Sequence, residues 1–95
     1  MKNKTILIID DEEDICSTLS KILTAQGYKV LTSLNATNGL NQIKKNVVDL
    51  VLLDVWLEGS KKNGIELLKV IKNLNINLPV ILISGHGNIE MAVNS

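Results

Sequence analysis

The chain has 95 residues, of which 45% are hydrophobic and 21% are charged. These proportions are ordinary for a single soluble globular domain and exclude an intrinsically disordered chain. Ten lysines balance ten acidic residues, and arginine is absent. Charge alone therefore does not favour binding to nucleic acid or to an anionic membrane.

Membrane insertion, secretion and cysteine chemistry are also disfavoured. The longest apolar run is four residues, too short for a transmembrane helix, and the N-terminus lacks the pattern of a secretory signal. Cys16 is the only cysteine, which excludes an internal disulfide and a cysteine-built metal site. We interpret Cys16 as a structural thiol and expect a cytoplasmic protein.

The first half of the chain predicts two strands and two helices in alternation. Residues 6–9 form a continuous apolar run, typical of a strand buried on both faces of a parallel sheet. Residues 28–32 alternate between apolar and polar, which favours a strand nearer the edge. Apolar residues at helical spacing predict the helices, the first of which stops at Gly27. They are Ile15, Leu19, Ile22 and Leu23, then Ala36, Leu40 and Ile43.

The second half repeats the alternation. Residues 50–53 and 80–83 are further continuous apolar runs and predict two more buried strands. A third helix is predicted behind Asn63-Gly64 by the spacing of Ile65, Leu68 and Ile71.

A fourth helix is expected over residues 89–95, with Asn88 as its candidate N-cap. The whole chain then has the order β-α-β-α-β-α-β-α. This order predicts an α/β fold with an open parallel sheet and helices on both faces.

Acidic side chains follow two of the predicted buried strands. Asp10 and Asp11 come directly after the first run, and Asp54 comes directly after the third. Ligands of open α/β sheets bind outside the carboxyl ends of the strands, where these acids lie. If the first and third strands are neighbours, the carboxylates converge, and Mg²⁺ is the cation that suits them. Favourable interaction with a helix dipole better explains Glu12, Glu13 and Asp14.

Other polar groups lie near the same strand ends. Ser84 ends the fourth run and can donate a hydrogen bond to a bound phosphoryl oxygen. The backbone carbonyl of Trp56 can reach a cation held at Asp54, while its side chain is expected in packing or at the surface. We interpret His86 as an ordinary loop residue.

Three segments resemble the receiver domain of two-component response regulators in their order and spacing, and the resemblance covers the whole chain. They are Ile8-Ile9-Asp10-Asp11-Glu12, Val51-Leu52-Leu53-Asp54-Val55-Trp56 and Ile83-Ser84-Gly85-His86-Gly87-Asn88. Residues 53–60 and 84–93 are most similar to NtrX-type nitrogen-regulation receivers of the NtrC group. The resemblance implies a flavodoxin-like (CheY-like) three-layer sandwich with strand order 2-1-3-4.

The resemblance also implies a function and a role for each site residue. Asp54 is the expected phosphoacceptor, and a sensor histidine kinase is expected to supply its phosphoryl group. The module is not expected to be an enzyme itself. Asp11, Asp54 and the Trp56 carbonyl are expected to bind Mg²⁺ directly, and Asp10 through water. Ser84 is the expected switch hydroxyl. A carboxylate nucleophile and a neutralising metal agree with phosphoryl transfer.

The chain departs from the family pattern in two places. The loop expected over residues 57–64 is longer than usual and lacks proline. The fifth strand, which carries a phosphate-contacting lysine in a complete receiver, and the fifth helix are expected to be absent. Residues 1–95 are thus expected to form a C-terminally incomplete receiver domain. Lys61 and Lys62 are expected to face solvent and not to replace that lysine.

An incomplete sheet predicts self-association. Without a fifth strand, the edge of residues 80–83 is expected to be unpaired, and unpaired edges are templates for pairing between chains. Association is expected through this edge or through the face that a fifth helix covers.

Three alternative functions compete with this interpretation. A degenerate receiver that acts as a protein-interaction or vestigial module is favoured by the missing lysine and disfavoured by the intact acids and Ser84. A phosphohydrolase of the haloacid dehalogenase type needs Asp-x-Asp-x-Thr after the first strand, which residues 10–14 do not supply. A nucleotide-binding domain needs a glycine-rich loop at that position, and none is present.

Overall fold

The computed structural model describes residues 3–59, 61–83 and 89–92, and for residues 61 and 89–92 it describes the backbone alone. Ser84, His86 and Asn88 lie outside the described residues. No helix in the described part of the chain is both long enough and apolar enough to span a bilayer.

Strands and helices alternate along the chain as far as the fourth strand. The elements are β1 (Thr5–Ile9), α1 (Glu13–Ala25), β2 (Lys29–Ser33), α2 (Ala36–Lys45), β3 (Leu50–Asp54), a 3-10 turn (Leu57–Gly59), α3 (Lys61–Leu74), β4 (Val80–Ile83) and β5 (Ile89–Ala92). The four apolar or alternating segments singled out in the sequence are thus all strands.

The sheet has the order β2-β1-β3-β4-β5. β1 pairs in parallel with both β2 and β3, and β3 pairs in parallel with β4. The predicted parallel order 2-1-3-4 is confirmed. Because β1 and β3 are neighbours with Ile9 opposite Leu53, the residues that follow them end at the same edge of the sheet.

Alternation along the strands divides the interior into two layers of side chains. Leu7, Ile9, Val51 and Leu53 are fully buried on the face that α2 and α3 cover. Ile6 and Ile8 point to the opposite face, where they pack with residues of α1. Helices on both faces make the three-layer sandwich that the sequence predicted.

The buried face of α1 differs from the predicted one. Cys16 is buried, and Leu19 and Leu23 pack against the same cluster as Ile8. Ile15 and Ile22 are 36% and 54% exposed. They lie one heptad apart on the flank of the helix, and among the described elements α1 contacts mainly β1 and β2, so this flank faces outward.

α3 begins earlier than expected. The helix starts at Lys61, so Asn63 and Gly64 lie in its first turn and not in a loop before it. The connection after β3 is therefore a short one, built around the 3-10 turn at Leu57–Gly59. The loop predicted over residues 57–64 is wrong for its second half.

Residues 89–92 form a strand instead of the start of the predicted fourth helix. β5 runs antiparallel to β4, with Leu82 opposite Glu90 and Ile83 opposite Ile89. Free N–H and C=O groups along β4 offer a template for pairing, and residues 89–92 occupy it. The expectation of an unpaired β4 edge is wrong, because the chain itself covers that edge.

Candidate metal centre

Three carboxylates meet at the carboxyl edge of the sheet. Asp10 directly follows β1, and Asp54 is the last residue of β3. Carboxylate oxygens of Asp10, Asp11 and Asp54 all lie within 4.8 Å of one another. The parallel pairing of β1 with β3 causes this convergence, because it brings both strand ends to the same point.

Backbone hydrogen bonds fix the two buried acids. The N–H of Asp10 donates to the carbonyl of Ser33 at 3.0 Å, and the Asp10 Oδ1 accepts from the N–H of Glu12 at 2.9 Å. The Asp54 Oδ1 accepts from the N–H of Trp56 at 3.0 Å. Each carboxylate is therefore oriented by the chain that immediately follows it.

The cluster is electrostatically costly without a cation. Asp10 is 5% exposed and Asp54 9%, whereas Asp11 is open to solvent. Burial raises the pKa of Asp10 to about 6, against the lowering effect of the Glu12 N–H, and the charges of Asp54 and Asp11 add to the rise. Burial is also the main cause that raises the pKa of Asp54, opposed by the Trp56 N–H and assisted by Asp11.

The donor set fits Mg²⁺. All three side chains offer hard oxygen ligands within the span of one ion, and their mutual repulsion is the kind that a divalent cation relieves. The exposure of Asp11 leaves the cluster open to solvent, as an ion that keeps several of its waters requires.

The part of Trp56 that can take part in the candidate metal site is its backbone and not its indole ring. Its carbonyl accepts a hydrogen bond from the N–H of Gly59 at 3.1 Å, which uses one of the two lone pairs of that oxygen. The second lone pair can serve as a metal ligand. The side chain is 46% exposed, in keeping with the expected surface position.

The remaining candidate site residues lie in three places: at the start of α1, in α3, and after the end of β4. Glu13 and Asp14 lie in the first turn of α1, as the dipole argument predicted. Lys62 is exposed and 4.0 Å from Glu66. Ile83, which precedes Ser84 in the chain, accepts a hydrogen bond from the N–H of Val55 at 3.0 Å. Ser84 itself lies outside the described residues.

The sequence did not predict the hydrogen bond that the Cys16 thiol makes to the backbone of Asp10. The thiol of Cys16 is 3.4 Å from the Asp10 carbonyl, to which it donates, and is 4.0 Å from the Ser33 carbonyl. Burial raises the pKa of this thiol, which keeps it a neutral donor. A cysteine on the sheet-facing side of α1, one turn after the acids, was the available signal.

The fold and the acidic cluster together define an α/β module with a candidate cation site at the carboxyl edge of its sheet. A family model for the response regulator receiver domain matches residues 6–95. The chain therefore belongs to the response regulator receiver family.

Individual relatives agree with this assignment. The nitrogen assimilation regulatory protein NtrX of Azorhizobium caulinodans is 47% identical over 88 residues, which are 93% of this chain and 19% of that protein. The receiver domain of NtrX from Brucella abortus has a TM-score of 0.80 and 43% identity, covering 87% of this chain and 69% of that one. A CheY-like receiver domain protein from Methanospirillum hungatei has a TM-score of 0.82 and 31% identity, covering 92% of this chain and 68% of that one.

Proposed function

We propose that this chain is a cytoplasmic phosphoacceptor module of a two-component system, in which a sensor histidine kinase supplies the phosphoryl group to Asp54. One observation carries the proposal: the buried Asp54 carboxylate lies at the end of a central strand, within 4.8 Å of two other acids that can hold Mg²⁺. Membership of the receiver family and the similarity to NtrX support it.

The reaction is an in-line transfer onto a carboxylate. A carboxylate oxygen of Asp54 attacks phosphorus, the bond between phosphorus and the donor imidazole nitrogen breaks, and the neutral histidine leaves after it takes up a proton. Mg²⁺ held by the acidic cluster would neutralise charge on the transferring phosphoryl oxygens. The Trp56 N–H holds the Asp54 carboxylate in one orientation before the transfer.

The residues around Asp54 take separate roles in this proposal. Asp11, Asp54 and the Trp56 carbonyl would hold the metal directly. Asp10 would act through a water molecule, which agrees with its burial and with the hydrogen bond that already occupies its Oδ1. Ser84 is the hydroxyl that closes on the phosphoryl group after transfer.

Intact-protein mass spectrometry tests the proposal. Incubation with acetyl phosphate and Mg²⁺ is expected to add one phosphoryl group, and Asp54→Asn is expected to abolish the addition. Asp11→Asn is expected to abolish Mg²⁺ binding, which is monitored by the fluorescence of Trp56. The same variant is expected to lose the addition of the phosphoryl group. Modification at Ser84 would refute the assigned roles. A folded, Mg²⁺-binding chain that takes up no phosphoryl group would favour the alternative of a degenerate interaction module.

A further inference from the structure

The first turn of α3 lies directly against the backbone at the end of β3. A Cβ atom added to Gly64 would overlap the Val55 carbonyl oxygen, and it would lie 2.7 Å from the Val55 carbonyl carbon and 2.8 Å from the Asp54 carbonyl oxygen. These distances are far below van der Waals contact, and backbone atoms cannot turn aside as the end of a side chain does.

A second helical glycine differs from Gly64 in the kind of atom that it approaches. A Cβ atom on Gly39 of α2 would lie 2.7 Å from Ile9 Cδ1 and 3.1 Å from Ile9 Cγ1, which are side-chain atoms and not backbone atoms. The positive-φ glycines of the described chain are Gly27 and Gly59. Backbone conformation therefore does not require glycine at either helical position. At position 64, glycine is required because there is no room for a Cβ atom beside Val55.

The contacted peptide lies in the middle of the site. Val55 is the residue between Asp54 and Trp56, and its N–H donates to the Ile83 carbonyl of β4 at 3.0 Å. The next N–H, that of Trp56, donates to the Asp54 Oδ1. The peptide before Val55 is thus held by β4 through the Val55 N–H, and the peptide after it, which joins the Val55 carbonyl to the Trp56 N–H, lies against α3. Displacing this second peptide therefore moves the Trp56 N–H directly.

We propose that Gly64 is a positioning residue for the phosphoacceptor site. Its missing side chain lets α3 pack against the Val55 carbonyl, and this contact fixes the Trp56 N–H on Asp54. The inference rests on the proposed function of Asp54 for its consequence, although the positioning itself is a property of the fold.

The test compares Gly64→Ala with Gly39→Ala, which makes the same chemical change in a neighbouring helix. Mg²⁺ affinity from Trp56 fluorescence and the initial rate of phosphorylation by acetyl phosphate are measured for both. Gly64→Ala is expected to lower them by about 10- to 100-fold, as small displacements of reacting groups do. Gly39→Ala is expected to leave both within about threefold of wild type.

A spectroscopic measurement separates positioning from general destabilisation. The ¹H–¹⁵N resonance of the Trp56 amide reports its hydrogen bond to Asp54, and it is expected to move in Gly64→Ala and to stay in place in Gly39→Ala. All samples contain trimethylamine N-oxide, which favours the folded state. A Gly64→Ala chain that remains unfolded there would assign the glycine a structural role and overturn the proposal.

The outcomes distinguish the two proposals. If wild type accepts a phosphoryl group and Gly64→Ala matches Gly39→Ala in rate, affinity and Trp56 resonance, the positioning role is wrong and the proposed function stands. If the Trp56 resonance moves in Gly64→Ala but wild type accepts no phosphoryl group, the positioning role stands and the proposed function fails.

Discussion

Burial of Asp10 beside two other carboxylates makes the stability of the fold depend on pH. Its pKa rises from 3.8 to about 6 on folding. The native chain therefore holds a proton on Asp10 between these values, where the unfolded chain has lost it. The stabilising contribution of the neutral acid is fully present below pH 3.8 and is lost as pH rises through about 6.

Asp10→Asn is expected to stabilise the metal-free protein at pH 7.5 by about 1–3 kcal/mol, because it removes the charge and keeps an oxygen that accepts from the Glu12 N–H. Urea denaturation in EDTA measures the change. The gain is expected to shrink at pH 4.5, where wild-type Asp10 is already protonated. Asp14→Asn, at an exposed position in α1, is the control and is expected to give no gain. An Asp10→Asn chain that is no more stable than wild type would contradict the pKa argument.

The acids were predictable from the sequence, whereas the packing of Gly64 was not. Asp10 and Asp54 follow continuous apolar runs, and such runs locate the ends of buried parallel strands from local pattern alone. The close approach of Gly64 to Val55 depends on how α3 is placed against β3, which is a tertiary property. Its position next to Asn63 favours a turn by local rules, and the helix overrides that preference.

At the scale of whole elements, β1 to β4 were predictable from the sequence, whereas β5, which forms one edge of the sheet, was not. Residues 89–92 lack a strong signal for either state, and their conformation is decided by the partner that β4 offers. Likewise the exposure of Ile15 and Ile22 follows from which elements lie beside α1, which periodicity does not specify.

Displacement of β5 is expected to cause association. Consecutive strand residues point their N–H groups to opposite edges, so Glu90→Pro together with Met91→Pro removes at least one bond to β4 and excludes an extended pairing. Sedimentation velocity at micromolar concentration is expected to show dimers or larger species for this double variant and fewer for wild type. Val47→Pro, at an exposed position in the loop after α2, is a proline control outside the edge. A double variant that stays monomeric would show that an uncovered β4 edge does not pair with another chain.

At the scale of the molecule, the sheet is covered unequally on its two faces. α2 and α3 enclose one face, and the buried residues there include Leu53, Leu57 and Ile71. The opposite face has α1 alone among the described helices, and only Ile6, Ile8 and Cys16 are buried in its cluster. A cavity of about 380 Å³ opens on this side, between β1, β3 and the end of α1. Self-association through this face stays a prediction.

Adjacent leucines of β3 test this inequality. Leu53 is fully buried under α2 and α3, and Leu52 is partly buried on the α1 side. Leu53→Ala is expected to cost about 3–5 kcal/mol of unfolding free energy, because the two helices hold the cavity open, whereas Leu52→Ala is expected to cost about 1–2 kcal/mol. Urea denaturation measures both. A loss of 3–5 kcal/mol approaches the whole stability of many small domains, so Leu53→Ala is expected to populate the unfolded state without denaturant. Equal costs at the two positions would mean that both faces of the sheet are equally well packed.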